Sequence, residues 1–266
     1  MMHKIETNKI YCMDAKEGLN LLPDDYIDLT VTSPPYDDLR TYKGYSFDFE
    51  PIAQELYRVT KPGGVVVWVV GDATINGSET GTSFRQALHF KKIGFKLGDT
   101  MIWKKQNPFN FGSNYFYPQG FEYMFIFTKG KIKTSNLIRD REIKNAGKKF
   151  KQTRRSKNDF MEYDNKEVVL QNMGKRHNVW TIPVQSNKKH PAPFPEKLAQ
   201  DHILSWSNPG DLVLDPFMGS GTTGKMAALN RRHYIGFDIS EEYCEIARKR
   251  ISEHTGQQNI FSPGVE

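Results

Sequence analysis

The chain has 266 residues, with 37 Lys and Arg against 31 Asp and Glu, a formal net charge of +6 and a hydrophobic fraction of 38%. That length and mix suit one large domain or two small ones around a real core, and exclude a collagen, a coiled coil or a disordered chain. Two cysteines far apart in sequence, Cys12 and Cys244, and a longest apolar run of only Val65–Val70 exclude a disulfide framework and a membrane span.

The first strand signal is Ile27–Thr32 (IDLTVT), a β-branched run that stops at Ser33-Pro34-Pro35. Two successive prolines cannot continue a central strand or a helix, so the chain turns there. Apolar residues at Phe49, Ile52, Ala53, Leu56 and Tyr57 predict a helix over Phe49–Arg58, broken by Lys61-Pro62-Gly63-Gly64. Val65–Val70 is continuously apolar, the pattern of a strand covered on both faces of a parallel sheet. Phe84–Ile93 predicts a helix ending at Gly94, and Thr100–Trp103 and Glu122–Thr128 predict strands.

From Lys129 to about Asn178 the periodicity fades. Lys129–Arg176 holds 15 Lys and Arg against 6 Asp and Glu, a local net of +9, while the rest of the chain nets −3. This segment is expected to be an insertion or small subdomain over residues 129–178, between flanks 1–128 and 179–266. Its run Lys148, Lys149, Lys151, Arg154, Arg155 and Lys157 suits the phosphates of a polyanion, and the plain alternative is a solvated loop. Beyond it, Phe194–Trp206 predicts a helix opened by Pro195. Then follow a strand at Leu212–Leu214, a helix at Thr222–Leu229, a strand at His233–Phe237 and a helix at Glu241–Glu253. Alternating strands and helices in both flanks argue for one α/β sheet with right-handed crossovers.

Two motifs carry chemistry. Val213-Leu214-Asp215-Pro216-Phe217-Met218-Gly219-Ser220-Gly221-Thr222-Thr223 runs from a strand through a glycine turn into a helix. Asp215 ends the strand, where ligands bind in open α/β sheets, and Asp238 ends the next one, 17 residues after Gly221. A carboxylate there can accept hydrogen bonds from two ribose hydroxyls. The absence of a third glycine and of a Gly-Lys-Ser/Thr phosphate loop favours an adenosine cofactor without a pyrophosphate. The second motif is Thr32-Ser33-Pro34-Pro35-Tyr36. Its fixed carbonyl and the Ser33 hydroxyl can hold an exocyclic amine with its lone pair aimed at an electrophile, and Tyr36 offers a ring for a flipped base.

TSPPY together with DPFMGSGTT resembles the β group of S-adenosylmethionine-dependent DNA amino-methyltransferases, which methylate N4 of cytosine or N6 of adenine. Further matches are Asp14 before Leu19, Leu22, Pro23 and Asp24; Arg58–Gly64; Phe121-Glu122-Tyr123; and His190-Pro191-Ala192-Pro193-Phe194-Pro195. The resemblance implies a Rossmann-like α/β fold, a seven-stranded, mostly parallel sheet with helices on both faces, plus a small basic recognition insertion. It assigns Ser33, Pro34, Pro35 and Tyr36 to catalysis. It assigns Asp14, Pro193, Phe194, Pro195, Asp215, Pro216, Phe217, Gly219, Ser220, Gly221, Thr222 and Asp238 to S-adenosyl-L-methionine. Ser at the first tetrad position leans toward N4 of cytosine, with N6 of adenine the alternative. The implied partner is double-stranded DNA, the implied setting is cytoplasmic, and a cognate restriction endonuclease and a homodimer stay open.

Arg40 and Tyr42 are candidate DNA contacts. Trp103, Lys104, Asn107 and Pro108 precede the aromatics Phe109, Phe111, Tyr115, Phe116 and Tyr117, for most of which core packing is the expectation. His177 and Trp180 are expected to pack. Neither cysteine lies in a Pro-Cys motif, so no covalent step is implied. Two rivals remain open: methylation of RNA or of a protein amide, and a nucleic-acid-binding module with a decayed cofactor site.

Overall fold

The computed structural model describes residues 5–35, 47–106, 115–155, 161–184 and 195–261. The chain begins with β1 (Lys9–Cys12), α1 (Ala15–Asn20), β2 (Ile27–Thr32), α2 (Phe49–Val59) and β3 (Thr60–Val70). A two-residue hairpin, β4 (Thr74–Ile75) and β5 (Ser78–Glu79), leads to α3 (Thr82–Lys92), β6 (Lys96–Gln106) and β7 (Phe121–Thr128). Four strands follow: β8 (Arg139–Glu142), β9 (Lys149–Arg155), β10 (Met161–Val169) and β11 (Met173–Lys175). The chain closes with β12 (Val179–Pro183), α4 (Glu196–Trp206), β13 (Leu212–Asp215), α5 (Thr222–Leu229), β14 (His233–Asp238) and α6 (Glu241–Phe261). Two compact units result, Met1–Asn136 with Asn178–Glu266, and Leu137–His177.

The larger unit is built on one sheet in the order β1-β14-β13-β2-β3-β7-β6-β12. Neighbours pair in parallel except at β7, which runs antiparallel to both β3 and β6. Side chains alternate across it as a pleated strand requires. Val65, Val67 and Val69 enter one core with Leu198 and Ile203 of α4, Met226 of α5 and Ala247 of α6. Val66, Trp68 and Val70 enter the other with Leu19 of α1, Leu56 of α2 and Phe90 of α3. Both faces are therefore covered, which is why Val65–Val70 of β3 carries no polar alternation. The expected α/β class holds, with a correction in strand number: the sheet has eight strands rather than seven. The additional edge strand β12, VWTIP, ends on a proline that an edge tolerates.

Two boundaries differ from expectation. Lys61-Pro62-Gly63-Gly64 does not separate α2 from β3 but lies inside β3, where the pairing with β2 slips between Ile27 and Leu29. The extra residues are absorbed as a bulge. Pro195 caps α4 rather than lying within it, its carbonyl accepting from the Leu198 and Ala199 N–H groups, so the helix starts at Glu196. Phe194 lies outside the described residues. Part of the aromatic stretch is corrected too: Tyr115, Phe116 and Tyr117 are 88%, 68% and 99% exposed, because they precede the strand whose side chains enter the cores, while Asn107, Pro108, Phe109 and Phe111 lie outside the described residues. Trp103 and Trp180 do pack in the core, and Trp103 Nε1 donates to the Ile182 carbonyl at 2.9 Å.

The smaller unit is a nested ribbon in which β9 pairs with β10 and β8 with β11, all antiparallel. Among its described side chains, the apolar Phe150, Val168, Val169 and Met173 are exposed, and no period of two appears in the sequence. Lys148, Lys149 and Lys151 are exposed on it. Glu167 lies opposite Lys151 and Glu162 opposite Arg154, and Lys149 Nζ is 3.4 Å from Glu167.

His202 of α4 is fully buried, its ring stacked on Trp180 at 4.6 Å, with Trp206 Nε1 donating to its Nδ1 at 3.2 Å. Burial pushes its pKa down to about 3 from an ordinary 6.5. The unfolded chain thus takes up this proton near pH 6.5 while the fold resists it, and stability falls as pH drops through that range. His202→Gln should remove the slope. In urea denaturation at pH 7 and pH 4, the wild type should lose about 3 kcal/mol more than the variant.

Candidate active site

β2 and β13 are adjacent parallel strands in mid-sheet, Val213 opposite Leu29 and Leu214 opposite Thr30. The chain leaves β2 toward β3 on one side and β13 toward β14 on the other. This is a topological switch point, where loops leaving the carboxyl ends diverge and open a crevice. Thr32-Ser33-Pro34-Pro35 leaves one strand there and Asp215-Pro216-Phe217 the other, although 183 residues separate Thr32 from Asp215. The Thr32 hydroxyl donates to Asp215 Oδ1 at 2.6 Å and so joins the two motifs. Pro34 and Pro216 are buried, and Ser33, Pro35 and Phe217 are half-buried.

The glycine motif folds as a tight turn on this base. The Phe217 N–H donates to Asp215 Oδ1 at 3.0 Å, Met218 N–H to the Phe237 carbonyl at 2.8 Å, and Gly219 N–H to Asp238 Oδ2 at 2.8 Å. Gly221 caps α5 at φ +82°, and a Cβ on it would lie 2.7 Å from Ala247 Cβ. Only glycine meets both conditions. Thr223 Oγ1 donates to the Val31 carbonyl at 3.1 Å, which fastens α5 to β2.

Asp238 ends β14 half-buried, its second oxygen accepting from Ser240 N–H at 2.9 Å. Two backbone donors thus fix the orientation of this carboxylate. Asp14 follows β1, the neighbour of β14, and accepts from the Lys16 and Glu17 N–H groups at 2.8 and 3.3 Å as the cap of α1. Asp14, Ser33, Asp215, Gly219 and Asp238 therefore gather along one edge of the sheet. The Phe217 ring packs 5.4 Å from Phe47 and 6.3 Å from the buried Trp68.

Asp215 is fully buried, and burial pushes its pKa up to about 6. The hydroxyls of Thr32 and Thr223 and the Phe217 N–H oppose that rise, and the charge of Asp238 adds to it.

Lys148, Lys149, Lys151, Arg154 and Arg155 belong to the ribbon unit, the last two as positions of β9. Tyr36, Arg40, Lys157, Pro193 and Phe194 lie outside the described residues. Pro195 is buried at the start of α4. Three residues that the motifs do not flag are present: Glu196 Oε1 accepts from Lys225 Nζ at 2.8 Å and from Arg250, which also reaches Ser220 and Thr222. Their one sequence signal is a lysine within an otherwise apolar helix. Among the described residues no cluster of His, Cys, Asp and Glu could hold a metal ion.

Comparison with known proteins places the chain in a family. The family model described as DNA methylase matches residues 27–249. The orphan methyltransferase M.BamHII of Bacillus amyloliquefaciens is 60% identical over 238 residues, covering 86% of this chain and 89% of that one. The type II methyltransferase M.BglII of Bacillus subtilis is 29% identical, covering 97% of this chain and 72% of that one. Among solved structures, TTHA0409 from Thermus thermophilus, complexed with S-adenosyl-L-methionine, superposes with a TM-score of 0.65 at 27% identity. It covers 93% of this chain and 94% of that one.

The raised pKa of Asp215 has a definite sign. The folded state keeps the proton up to about pH 6, the unfolded chain only to 3.8, so ionisation opposes the fold as pH rises between them. Asp215→Asn keeps an oxygen for Thr32 and Phe217 without the charge. Chemical denaturation should show the variant gaining on the wild type by about 2–3 kcal/mol between pH 4 and pH 7. A constant difference would contradict this account of the carboxylate.

Proposed function

The chain belongs to the DNA methylase family of N6/N4 amino-methyltransferases and is a DNA amino-methyltransferase, and from that premise we propose that it methylates N4 of cytosine at a specific site in duplex DNA. The observation that carries the proposal is the meeting of Ser33-Pro34-Pro35 and the Asp215–Gly221 turn at the switch point, joined by the Thr32–Asp215 hydrogen bond.

The cofactor is S-adenosyl-L-methionine, which fits the residues present. Asp238 is an oriented carboxylate suited to two ribose hydroxyls, and the glycine turn brings backbone close without side chains in the way. Asp14, Pro216, Phe217, Ser220 and Thr222 complete the cofactor wall, and Pro193, Phe194 and Pro195 are assigned to the same cofactor by the sequence motif alone. When bound, this cofactor supplies an electrophilic sulfonium methyl group.

Ser33 Oγ and the carbonyl of the proline turn accept hydrogen bonds from the exocyclic amine and so orient its lone pair. Tyr36 stacks on the base after it leaves the duplex. Ser33 at the first tetrad position supports cytosine over adenine. In the ribbon, Lys148, Lys149, Lys151, Arg154, Arg155 and Lys157 hold phosphates, which contributes affinity rather than sequence choice; Arg40 adds a contact beside the catalytic turn. The type II name of M.BglII supports a cognate restriction endonuclease as a partner, whereas the more similar M.BamHII is named an orphan.

Plasmid DNA treated with purified protein and S-adenosyl-L-methionine, then read by methylation-aware sequencing, should carry N4-methylcytosine at one short motif. N6-methyladenine there would move the assignment to the other amine, and unmodified DNA would overturn the proposal. Replacing Lys149, Arg154 and Arg155 together with Ala should weaken DNA binding and lower the slope of log K against log salt, by up to about 0.9 per lost contact. Fluorescence anisotropy between 50 and 200 mM salt, roughly the range over which such contacts are lost, measures it.

A further inference from the structure

We propose that Glu196 and Arg250 are positioning residues that brace the glycine turn from behind and thereby set the affinity for the cofactor. This rests on the functional reading above, and it concerns residues outside the two motifs.

Glu196 is the first residue of α4, directly after the segment assigned to the cofactor's methionine end. Its Oε1 accepts from Lys225 Nζ of α5 at 2.8 Å and from Arg250 of α6. Three helices on one face of the sheet thus meet at one carboxylate oxygen. Arg250 uses its fork in two directions. One nitrogen holds Glu196, and the other lies 3.1 Å from the Ser220 carbonyl, 3.2 Å from Ser220 Oγ and 3.1 Å from Thr222 Oγ1. The turn that the cofactor would touch is therefore gripped on its far side by a guanidinium, which is itself anchored.

An exposed ion pair would contribute little. This one differs in burial and in sharing. The Lys225 side chain is 8% exposed, Arg250 21% and Glu196 30%. Losing the carboxylate leaves a buried ammonium without the acceptor it bonds to here, which is the costly case. Burial pushes the Glu196 carboxyl up, but Lys225 and Arg250 outweigh it and hold the group below its ordinary range. It therefore stays ionised across neutral pH.

The turn needs such a brace because Gly219 and Gly221 both adopt positive φ, and glycine has wide conformational freedom there. An unbraced turn would sample other shapes and would have to be ordered each time a ligand binds. A braced one is preorganised, which raises affinity without touching the reacting atoms. The loss on removing the brace should appear in Kd and KM for the cofactor rather than in kcat.

The test is calorimetric titration of S-adenosyl-L-methionine into the wild type, Glu196→Gln, Arg250→Met, Arg250→Lys and the Glu196→Gln/Arg250→Met double variant. Peptide-resolved hydrogen exchange of residues 217–224 without cofactor is measured in parallel. Kd should rise about tenfold in Glu196→Gln and Arg250→Met, the scale of one charge-assisted hydrogen bond, and less in Arg250→Lys. The double variant should lose about tenfold, not a hundredfold, because both singles break the same brace. Exchange of 217–224 should accelerate in each. Folded variants with wild-type Kd and wild-type exchange would overturn the proposal. Should Glu196→Gln not fold, Arg250→Lys and its exchange pattern decide by the same criteria. A wild type that does not bind the cofactor would overturn the functional reading and this inference with it, a result distinct from variants that match a binding wild type.

Discussion

The site depends on one buried carboxylate. Asp215 sits where two parallel strands end side by side, and its Oδ1 accepts both the Thr32 hydroxyl and the Phe217 N–H. An isolated ionised carboxylate in such a place would be strongly unfavourable, and here hydroxyl and backbone donors offset the loss of water. Each of those donors sits at or beside a loop that needs fixing. Thr32 precedes the proline turn and Phe217 belongs to the glycine turn. The interaction that makes the burial tolerable therefore also sets one motif's position against the other.

This explains why much of the site is legible in the sequence. A ligand crevice at a switch point needs strands that end abruptly and turns with unusual backbone. Both conditions leave residue-level traces: the double proline after Thr32, the glycines at 219 and 221, and acids at the ends of β13 and β14. Core strands buried on both faces leave an equally plain trace, since Val65–Val70 has no polar position to spare. The Glu196–Lys225–Arg250 brace leaves almost none. Its members lie on three helices, and a charge on a helix has the same appearance in sequence whether it meets solvent or another helix. Only packing decides between them.

The features that read less well share a different cause. β1, α1 and β12 have four, six and five residues, too few for a period to stand out. In the ribbon, all four residues of β8 are exposed, and the described apolar side chains Phe150, Val168, Val169 and Met173 are exposed too, so there is little for a strand's alternation to mark. Tyr115, Phe116 and Tyr117 mislead because aromatic content suggests core content, whereas an aromatic packs only if its element faces the core.

The charge distribution gains meaning from the ribbon's register. A strand pair without a core is held by its ladder and its cross-strand contacts, and like charges placed opposite each other would push it apart. Here acids fall opposite bases, Glu167 across from Lys151 and Glu162 across from Arg154. At these two positions the register sets opposite rather than like charges across from each other. On the proposal that the ribbon holds DNA phosphates, a contact at Lys149 would exchange the Glu167 carboxylate, 3.4 Å away, for another anion, a step that contributes affinity rather than sequence choice.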